Sequence, residues 1–255
     1  MDPIAFKLGP FAVRWYGILM GTAVAVGTLI AFFEAKRKNI DPDHILNLVL
    51  ICVPVAFVGA RLYYVAFNWD YYSANLYEIP AVWHGGLAIH GGLIGGLAAG
   101  YIYIRKKGLD FWKTADVMSP GIILGQAIGR WGNFFNQEAH GGPVSREFIS
   151  RFPQFIQKGM FIDGQYYHPT FLYESLWNLA VFVVLLILGR QKFLKNGEVF
   201  LIYLALYSVG RFFIEGFRTD SLMLGPFRAA QVVSAAAVAA SVFLIIRRRR
   251  MRKTE

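Results

Sequence analysis

Seven stretches of mostly apolar residues constrain this chain more than any other feature. A helix that spans a bilayer needs about 20 such residues. The stretches lie at 15–34, 45–67, 83–104, 112–130, 169–189, 197–215 and 226–246. The fourth is the weakest, because Asp116, Gln126 and Arg130 dilute it. The expected fold is all-α: a polytopic membrane protein with about seven transmembrane helices and a small extracytoplasmic cap. The cap is expected from residues 131–168, a long insert rich in Gly, Pro, Asn and charges. No Gly/Ser linker or charge-rich stretch divides the chain, and the spans share no motif. Residues 1–255 therefore read as a single integral membrane domain without internal repeats.

Charge sets the expected orientation. Charged residues make up 16% of the chain, against roughly 25% in a soluble domain. The 22 Phe, 13 Tyr and 6 Trp suit lipid-facing and interfacial positions. The net charge of +10 would fit a nucleic-acid partner, but the basic residues sit beside the apolar runs, so orientation in the bilayer explains them better and no nucleic acid is expected. Lys36, Arg37 and Lys38 follow the first run, and Arg105, Lys106, Lys107 and Lys113 separate the third from the fourth. Arg190, Lys192 and Lys195 separate the fifth from the sixth, and Arg247 to Arg250, Arg252 and Lys253 follow the seventh. Seven spans place all four groups on one side, whereas six or eight would split them. By the positive-inside rule that side is the cytoplasm, which puts the N-terminus outside. The first run lacks a preceding basic region, so it is expected to stay as a span rather than be cleaved as a signal peptide.

Charges inside spans are costly and are usually functional or paired. Arg61, His90, Arg130, Glu174, Arg211 and Glu215 all fall in the outer half on this topology. Such clustering suggests an outward-facing polar cavity; the plainer reading is that these residues pair to hold the bundle. Tyr207, Arg211, Glu215 and Arg218 form one stripe on a helix at spacings of four, four and three. With Arg130 and Arg61 added, the arginines outnumber the acids, which fits an anionic ligand. Phosphate is the natural one, and in a membrane that means a phospholipid headgroup. Asn133 and Asn136, in the segment Gly129–Glu138, carry amides that can donate to ester or phosphate oxygens or serve as helix caps. His90 can act as a proton acceptor near neutral pH or as a hydrogen-bonded packing residue. It is expected about six residues into the third span. Tyr16 reads first as an interfacial anchor.

The chain contains no His-Glu-x-x-His, no P-loop, no Gly-x-Ser-x-Gly and no Ser-x-x-Lys. Its single cysteine, Cys52, lies inside an apolar run, so neither a disulfide nor a cysteine metal cluster is expected. No metal, nucleotide or other cofactor is expected, and no covalent nucleophile from the protein.

The run Gly129-Arg130-x-Gly132-Asn133-Phe134-x-Asn136-x-Glu138-x-x-Gly141 resembles the signature of the bacterial phosphatidylglycerol–prolipoprotein diacylglyceryl transferases. Four more runs match in the family's order: Arg14-Trp15-Tyr16-Gly17, His90-Gly91-Gly92-Leu93, Pro169-Thr170-x-Leu172-Tyr173-Glu174 and Gly210-Arg211-Phe212-x-x-Glu215-x-x-Arg218. A second His-Gly-Gly-Leu begins at His84; His90 is taken as the family histidine because Leu93-Ile94-Gly95 follows it.

The resemblance covers nearly the whole chain. It implies a seven-helix enzyme of the bacterial cytoplasmic membrane, with its N-terminus outside, its C-terminus in the cytoplasm and its active site in the outer half of the membrane. The implied reaction moves the diacylglyceryl group of phosphatidylglycerol onto the lipobox cysteine of a prolipoprotein signal peptide and releases glycerol 1-phosphate. By the match, Tyr16, His90, Arg130, Asn133, Glu138, Gly141, Tyr207 and Arg211 take the family's functional positions. The candidate catalytic residues are His90, Arg130, Arg211 and Tyr16. The candidate substrate-binding residues are Arg130, Asn133, Asn136, Glu138, Gly141, Tyr207, Arg211 and Glu215. The expected partners are phosphatidylglycerol, a prolipoprotein and membrane lipid. The rival readings are an outward-facing anion or lipid transporter and another phosphatidylglycerol-dependent transferase. A transporter usually carries repeats with broken helices, which the sequence lacks.

Overall fold

The computed structural model describes residues 1–9 and 11–251; Arg252 and Lys253 of the last basic group lie outside the described residues. Seven long helices follow one another: α1 Trp15–Arg37, α2 Pro42–Phe67, α3 Ile89–Lys106, α4 Phe111–Asn136, α5 Thr170–Leu188, α6 Glu198–Glu215 and α7 Ala229–Met251. Among the described residues four of them, α1, α2, α5 and α7, are long and apolar enough to cross a membrane by length and composition alone. Glycines interrupt the apolar character of α3, and Asp116, Gln126, Arg130, Arg211 and Glu215 that of α4 and α6. The outward faces carry large apolar side chains, among them Leu50, Ile187, Val233 and Phe243, more than half exposed, as a lipid-facing surface requires.

Helix ends follow local chemistry. Asp41 caps α2, its carboxylate accepting from the Asp43 amide at 3.0 Å with Pro42 in the first turn. Lys36 and Arg37 end α1, and Arg105 and Lys106 end α3, where cations complement the helix dipole.

Two boundaries differ from expectation. The third helix starts at Ile89 rather than 83, because Gly85 and Gly86 hold φ values of +88° and +75° that no right-handed helix accepts. His90 therefore stands in the first turn of α3, not six residues into it. The fourth helix runs on to Asn136, so the polar insert begins at Gln137 and Asn133 and Asn136 are helical.

The chain forms two compact units, residues 32–114 and residues 1–31 with 115–255. Within the first, α2 and α3 pack backbone to backbone: a Cβ on Gly59 would lie 2.6 Å from the Gly91 carbonyl oxygen. At the other end of this pair His44 Nδ1 meets the Tyr103 hydroxyl at 2.9 Å.

Within the second unit, Ile123, Val181, Leu185, Val199 and Tyr203 join α4, α5 and α6 in one buried cluster. Asp116 of α4 caps α6 across space, accepting from the amides of Gly197 and Phe200, both at 2.8 Å. The insert joins Ile149, Ile156 and Met160 to Phe134 of α4 and Phe171 of α5 in a second buried cluster, against which Val144, Tyr166 and Tyr167 of a small antiparallel sheet pack. That sheet has strands β3 Pro143–Val144, β4 Phe161–Ile162 and β5 Gln165–Tyr167 in the order β3-β5-β4. Two hairpins complete the unit: β1 Ile4–Leu8 with β2 Phe11–Arg14 ahead of α1, and β6 Met223–Leu224 with β7 Phe227–Arg228 ahead of α7.

In lipid, helix association relies on close packing of small residues rather than on hydrophobic transfer. Gly27 of α1 shows the consequence. A Cβ there would stand 2.7 Å from the Gly121 carbonyl oxygen of α4, whereas one on Gly21 would meet nothing within 4 Å. Gly27→Ala should therefore destabilise the protein by about 1–3 kcal/mol, as overpacking does. Gly21→Ala should be neutral. Thermal unfolding in detergent compares them, and equal midpoints would show that the α1–α4 contact tolerates a methyl group.

Candidate active site

Glu174 is the centre of a charged cluster in the second unit. It sits in the first turns of α5 and is 5% exposed. One oxygen, Oε2, pairs with Arg130 Nε from α4. The other, Oε1, accepts from Arg211 Nη1 of α6 at 2.8 Å and lies 3.8 Å from Arg218 Nη1. Arg211 Nη2 also meets Glu215 Oε2, one helical turn further on, at 2.6 Å. Two carboxylates, one on a neighbouring helix and one on its own, thus set the plane of the Arg211 guanidinium.

Tyr207, Arg211 and Glu215 lie on α6 as the stripe predicts, and Arg218, just past the helix end, stays 4.0 Å from Glu215 Oε2 while binding Asp220. Its Nε and Nη2 donate to the two oxygens of Asp220 at 3.0 and 2.7 Å. Arg228 of β7 secures the same turn, donating to the carbonyl oxygens of Glu215 and Arg218. The hydrogen bond from Arg218, reinforced by its charge, holds the Asp220 carboxyl below the usual aspartate range. A lowered folded-state pKa stabilises the fold above the ordinary aspartate value and ceases to do so as pH falls through the lowered one. Asp220→Asn should therefore cost a constant amount between about pH 5 and 8, under about 1 kcal/mol because the Asp220 side chain is half exposed. The variant and wild-type curves should converge below about pH 4. Thermal midpoints against pH test this; a difference that grows on acidification would contradict it.

The end of α4 supplies the amide groups. Arg130 Nη1 reaches Asn133 Oδ1 at 3.5 Å. The Glu138 carboxylate folds back beside the same turn, accepting from Asn133 Nδ2 at 3.0 Å and Asn136 Nδ2 at 3.3 Å. Gln137 and Ala139, on either side of Glu138, both have positive φ, +53° and +55°. Such backbone costs energy in residues other than glycine and is held by the surrounding contacts. Here it reverses the chain so that Glu138 returns to the helix it has just left. Tyr16 lies over the same helix end: a Cβ on Gly132 would come within 2.6 Å of its ring. Tyr207 stands one turn from Arg211, its ring 6.1 Å from that of Tyr203.

Gly141 is placed differently from the other candidates. Its amide donates to the His168 carbonyl at 3.0 Å, and it bridges Arg218 in antiparallel fashion. A Cβ there would be 2.6 Å from that of His168 and 2.9 Å from the Phe217 carbonyl oxygen. Gly141 thus fastens the insert to the segment that carries Arg218, and backbone approach is its evident requirement. Burial holds the neighbouring His168 below its ordinary pKa, so it is neutral at pH 7.

The structure therefore brings Tyr16, Arg130, Asn133, Asn136, Glu138, Tyr207, Arg211 and Glu215 into one region of the second unit. His90 belongs to the first unit, exposed in the first turn of α3 with its ring 6.0 Å from Tyr63. Arg61, also of the first unit, does not join the anion-binding set expected of it: backbone carbonyls occupy its guanidinium. The central position of Glu174 and the tether formed by Asp220 and Arg228 went unread in the sequence. Glu174 had a signal, since it ends the Pro169–Glu174 run; Asp220 and Arg228 had none. Deeper in the unit, Gln126 Oε1 and Asn178 Nδ2 are buried without a hydrogen-bond partner among the described residues.

Arg130 Nη2 and Arg211 Nε have no protein acceptor among the described residues, although both side chains keep about a fifth of their surface exposed (24% and 20%). A guanidinium with donors left over, locked in plane by a carboxylate, is preorganised for a phosphate or ester oxygen.

The family model described as prolipoprotein diacylglyceryl transferase matches residues 3–247. A phosphatidylglycerol–prolipoprotein diacylglyceryl transferase from Geobacillus kaustophilus (strain HTA426) is 58% identical over 252 residues, covering 98% of this chain and 93% of the relative. Proteins of the same name from Bacillus mycoides (strain KBAB4) and Bacillus cereus (strain Q1) are 56% and 55% identical over 253 residues, with the same coverage. The chain therefore belongs to the prolipoprotein diacylglyceryl transferase family, and it is a multi-pass membrane protein.

Proposed function

We propose that the chain, as a member of that family, transfers the sn-1,2-diacylglyceryl group of phosphatidylglycerol to the lipobox cysteine thiol of prolipoproteins. The thiolate attacks the glycerol carbon that bears the phosphate, a carbon–sulfur bond forms, the carbon–oxygen bond breaks, and glycerol 1-phosphate leaves with the bonding electrons. The nucleophile belongs to the substrate, which accounts for a site built from arginines, amides and carboxylates.

The observation that carries the reading is the convergence of Arg130 and Arg211, from two helices, on Glu174, each with a guanidinium N–H left over. The leaving phosphate gains negative charge as its bond to carbon breaks. Guanidinium groups already held in place stabilise that charge most in the transition state. Asn133, Asn136 and Glu138 orient the headgroup or Arg130, Glu215 orients Arg211, and Tyr16 and Tyr207 border the site. A free thiol has a pKa of about 8.5, so a proton acceptor or a positive field has to help. Either His90 accepts the proton or the field of the arginine cluster lowers the thiol pKa. The protein resides in the bacterial cytoplasmic membrane with its N-terminus outside, and the reaction takes place in the outer half of the bilayer.

The test uses purified protein in detergent with phosphatidylglycerol and a lipobox peptide, its cysteine intact or replaced by serine. A diacylglyceryl mass gain on the cysteine peptide alone, with glycerol phosphate released, is the expected result. No gain with folded protein would remove the reading.

A further inference from the structure

The crossing from α2 to α3, residues 68–88, is organised around one side chain of α2. Arg61 is 6% exposed and donates to five backbone carbonyls. Its Nε reaches Ile79 at 2.8 Å; its Nη1 reaches Gly85 at 2.7 Å and Gly86 at 3.0 Å. Its Nη2 reaches Glu78 at 2.6 Å and Ala81 at 3.4 Å. A guanidinium has five N–H donors, so every one is matched. Tyr72 covers its face, with the ring centroid 5.2 Å away. Nothing is left over for a headgroup, and Arg61 can act only through the segment it holds.

That segment leads directly to His90. Gly85 and Gly86 accept from Arg61 in left-handed backbone, and a Cβ on Gly86 would stand 2.5 Å from Arg61 Nη1. Two residues on, the Ala88 amide donates to the carbonyl of Ala60 at 3.0 Å, so the crossing is pinned to α2 at consecutive residues. The helix starts with the next residue, and His90 follows in its first turn. The position and direction of this first turn are thus set by how the crossing is held, and Arg61 holds it at five points.

We propose that Arg61 is a positioning residue for His90: it clamps the Glu78–Gly86 crossing so that α3 begins at one fixed point and presents the imidazole in one orientation. The proposal rests on the reading of His90 as a functional residue. A buried cation held by carbonyl dipoles is a costly device, and loosening it moves a reacting group by the small distances that matter most for rate.

Arg61→Lys tests it, because lysine keeps the charge but has three donors for five acceptors. Gly86→Ala is the second variant, since its methyl group collides with the clamp from the other side. Both should lower kcat roughly tenfold or more while KM for phosphatidylglycerol stays near the wild-type value, the pattern of a misplaced reacting group. A raised KM with kcat unchanged would make Arg61 a lipid ligand and overturn the proposal. A lower thermal midpoint with both parameters unchanged per folded molecule would make it scaffold only and overturn it equally. If the wild-type protein transfers nothing, or His90→Ala keeps its kcat, the functional reading fails separately. Arg61 is then judged by carbethoxylation of His90 with diethylpyrocarbonate, measured by peptide mass against His44. A changed His90 rate in both variants supports the clamp, and an unchanged rate overturns it.

Discussion

Arg211→Lys is expected to lower kcat for glycerol phosphate release by about 100-fold or more, with much smaller change in KM. The substitution keeps the positive charge, so the loss measures geometry. In the native arrangement Nη1 donates to Glu174 at 2.8 Å and Nη2 pairs with Glu215 at 2.6 Å, which fixes the guanidinium plane and leaves Nε without a protein acceptor among the described residues. Lysine replaces this planar fork with one rotatable ammonium. That ammonium can satisfy one of the two carboxylates well, and it then has no fixed donor for the leaving phosphate. Removing a single preorganised donor of this kind costs about 2.7–4 kcal/mol of transition-state stabilisation in other enzymes. The assay is the lipobox-peptide reaction with saturating phosphatidylglycerol. Wild-type turnover in Arg211→Lys would mean that bidentate holding is not what Arg211 contributes, and the leaving-group role would pass to Arg130 alone.

Glu174→Gln should combine a large stability loss with a kinetic defect. Glu174 bonds Arg130 and Arg211 directly and lies near Arg218, and it is almost fully buried. Neutralising it leaves three guanidinium groups facing the remaining carboxylates, Glu215 and Asp220. Breaking a buried pair by removing one partner costs about 3–5 kcal/mol. Because the arginines keep exposed edges, the lower end of that range is expected, read as a lower thermal midpoint in detergent. The kinetic prediction has a definite sign. The added positive charge should hold an anionic headgroup at least as tightly, so KM does not rise. The arginine planes lose their common anchor, so kcat falls by roughly tenfold or more. A raised KM with normal kcat would mean that Glu174 touches substrate itself. Unchanged stability would show that the pairs contribute nothing to the fold.

Much of this was legible beforehand because it depends on local properties. A run of about 20 apolar residues can satisfy its own backbone only as a helix in lipid. The long helices consequently appear where the apolar runs lie, and the stripe Tyr207–Arg211–Glu215 appears because helical period alone places those residues on one face. The resemblance carried by Gly129–Gly141 is also a property of sequence order. It named Arg130, Asn133 and Glu138, which the fold then gathers at one helix end.

Other features became visible only in three dimensions, and they have a common cause. Which acid neutralises which arginine is decided by helices that meet far apart in sequence, and no periodicity encodes that meeting. Glu174 holds together Arg130 and Arg211 because α4, α5 and α6 pack around one buried core. Asp116, which only diluted an apolar run, proves to be the cap of a helix more than eighty residues later. Arg61 looked like one more cation for an anionic ligand, and the crossing's carbonyls consume all its donors. The start of α3 moved from 83 to Ile89 because two glycines adopt a left-handed backbone that the apolar pattern around them does not reveal. Sequence alone determined the helices, the residue types in the site and the family, since each follows from neighbouring residues or from their order. Tertiary structure decided which charges are spent within the protein and which still have a donor to offer, since hydrogen bonds between helices depend on distances that only packing sets.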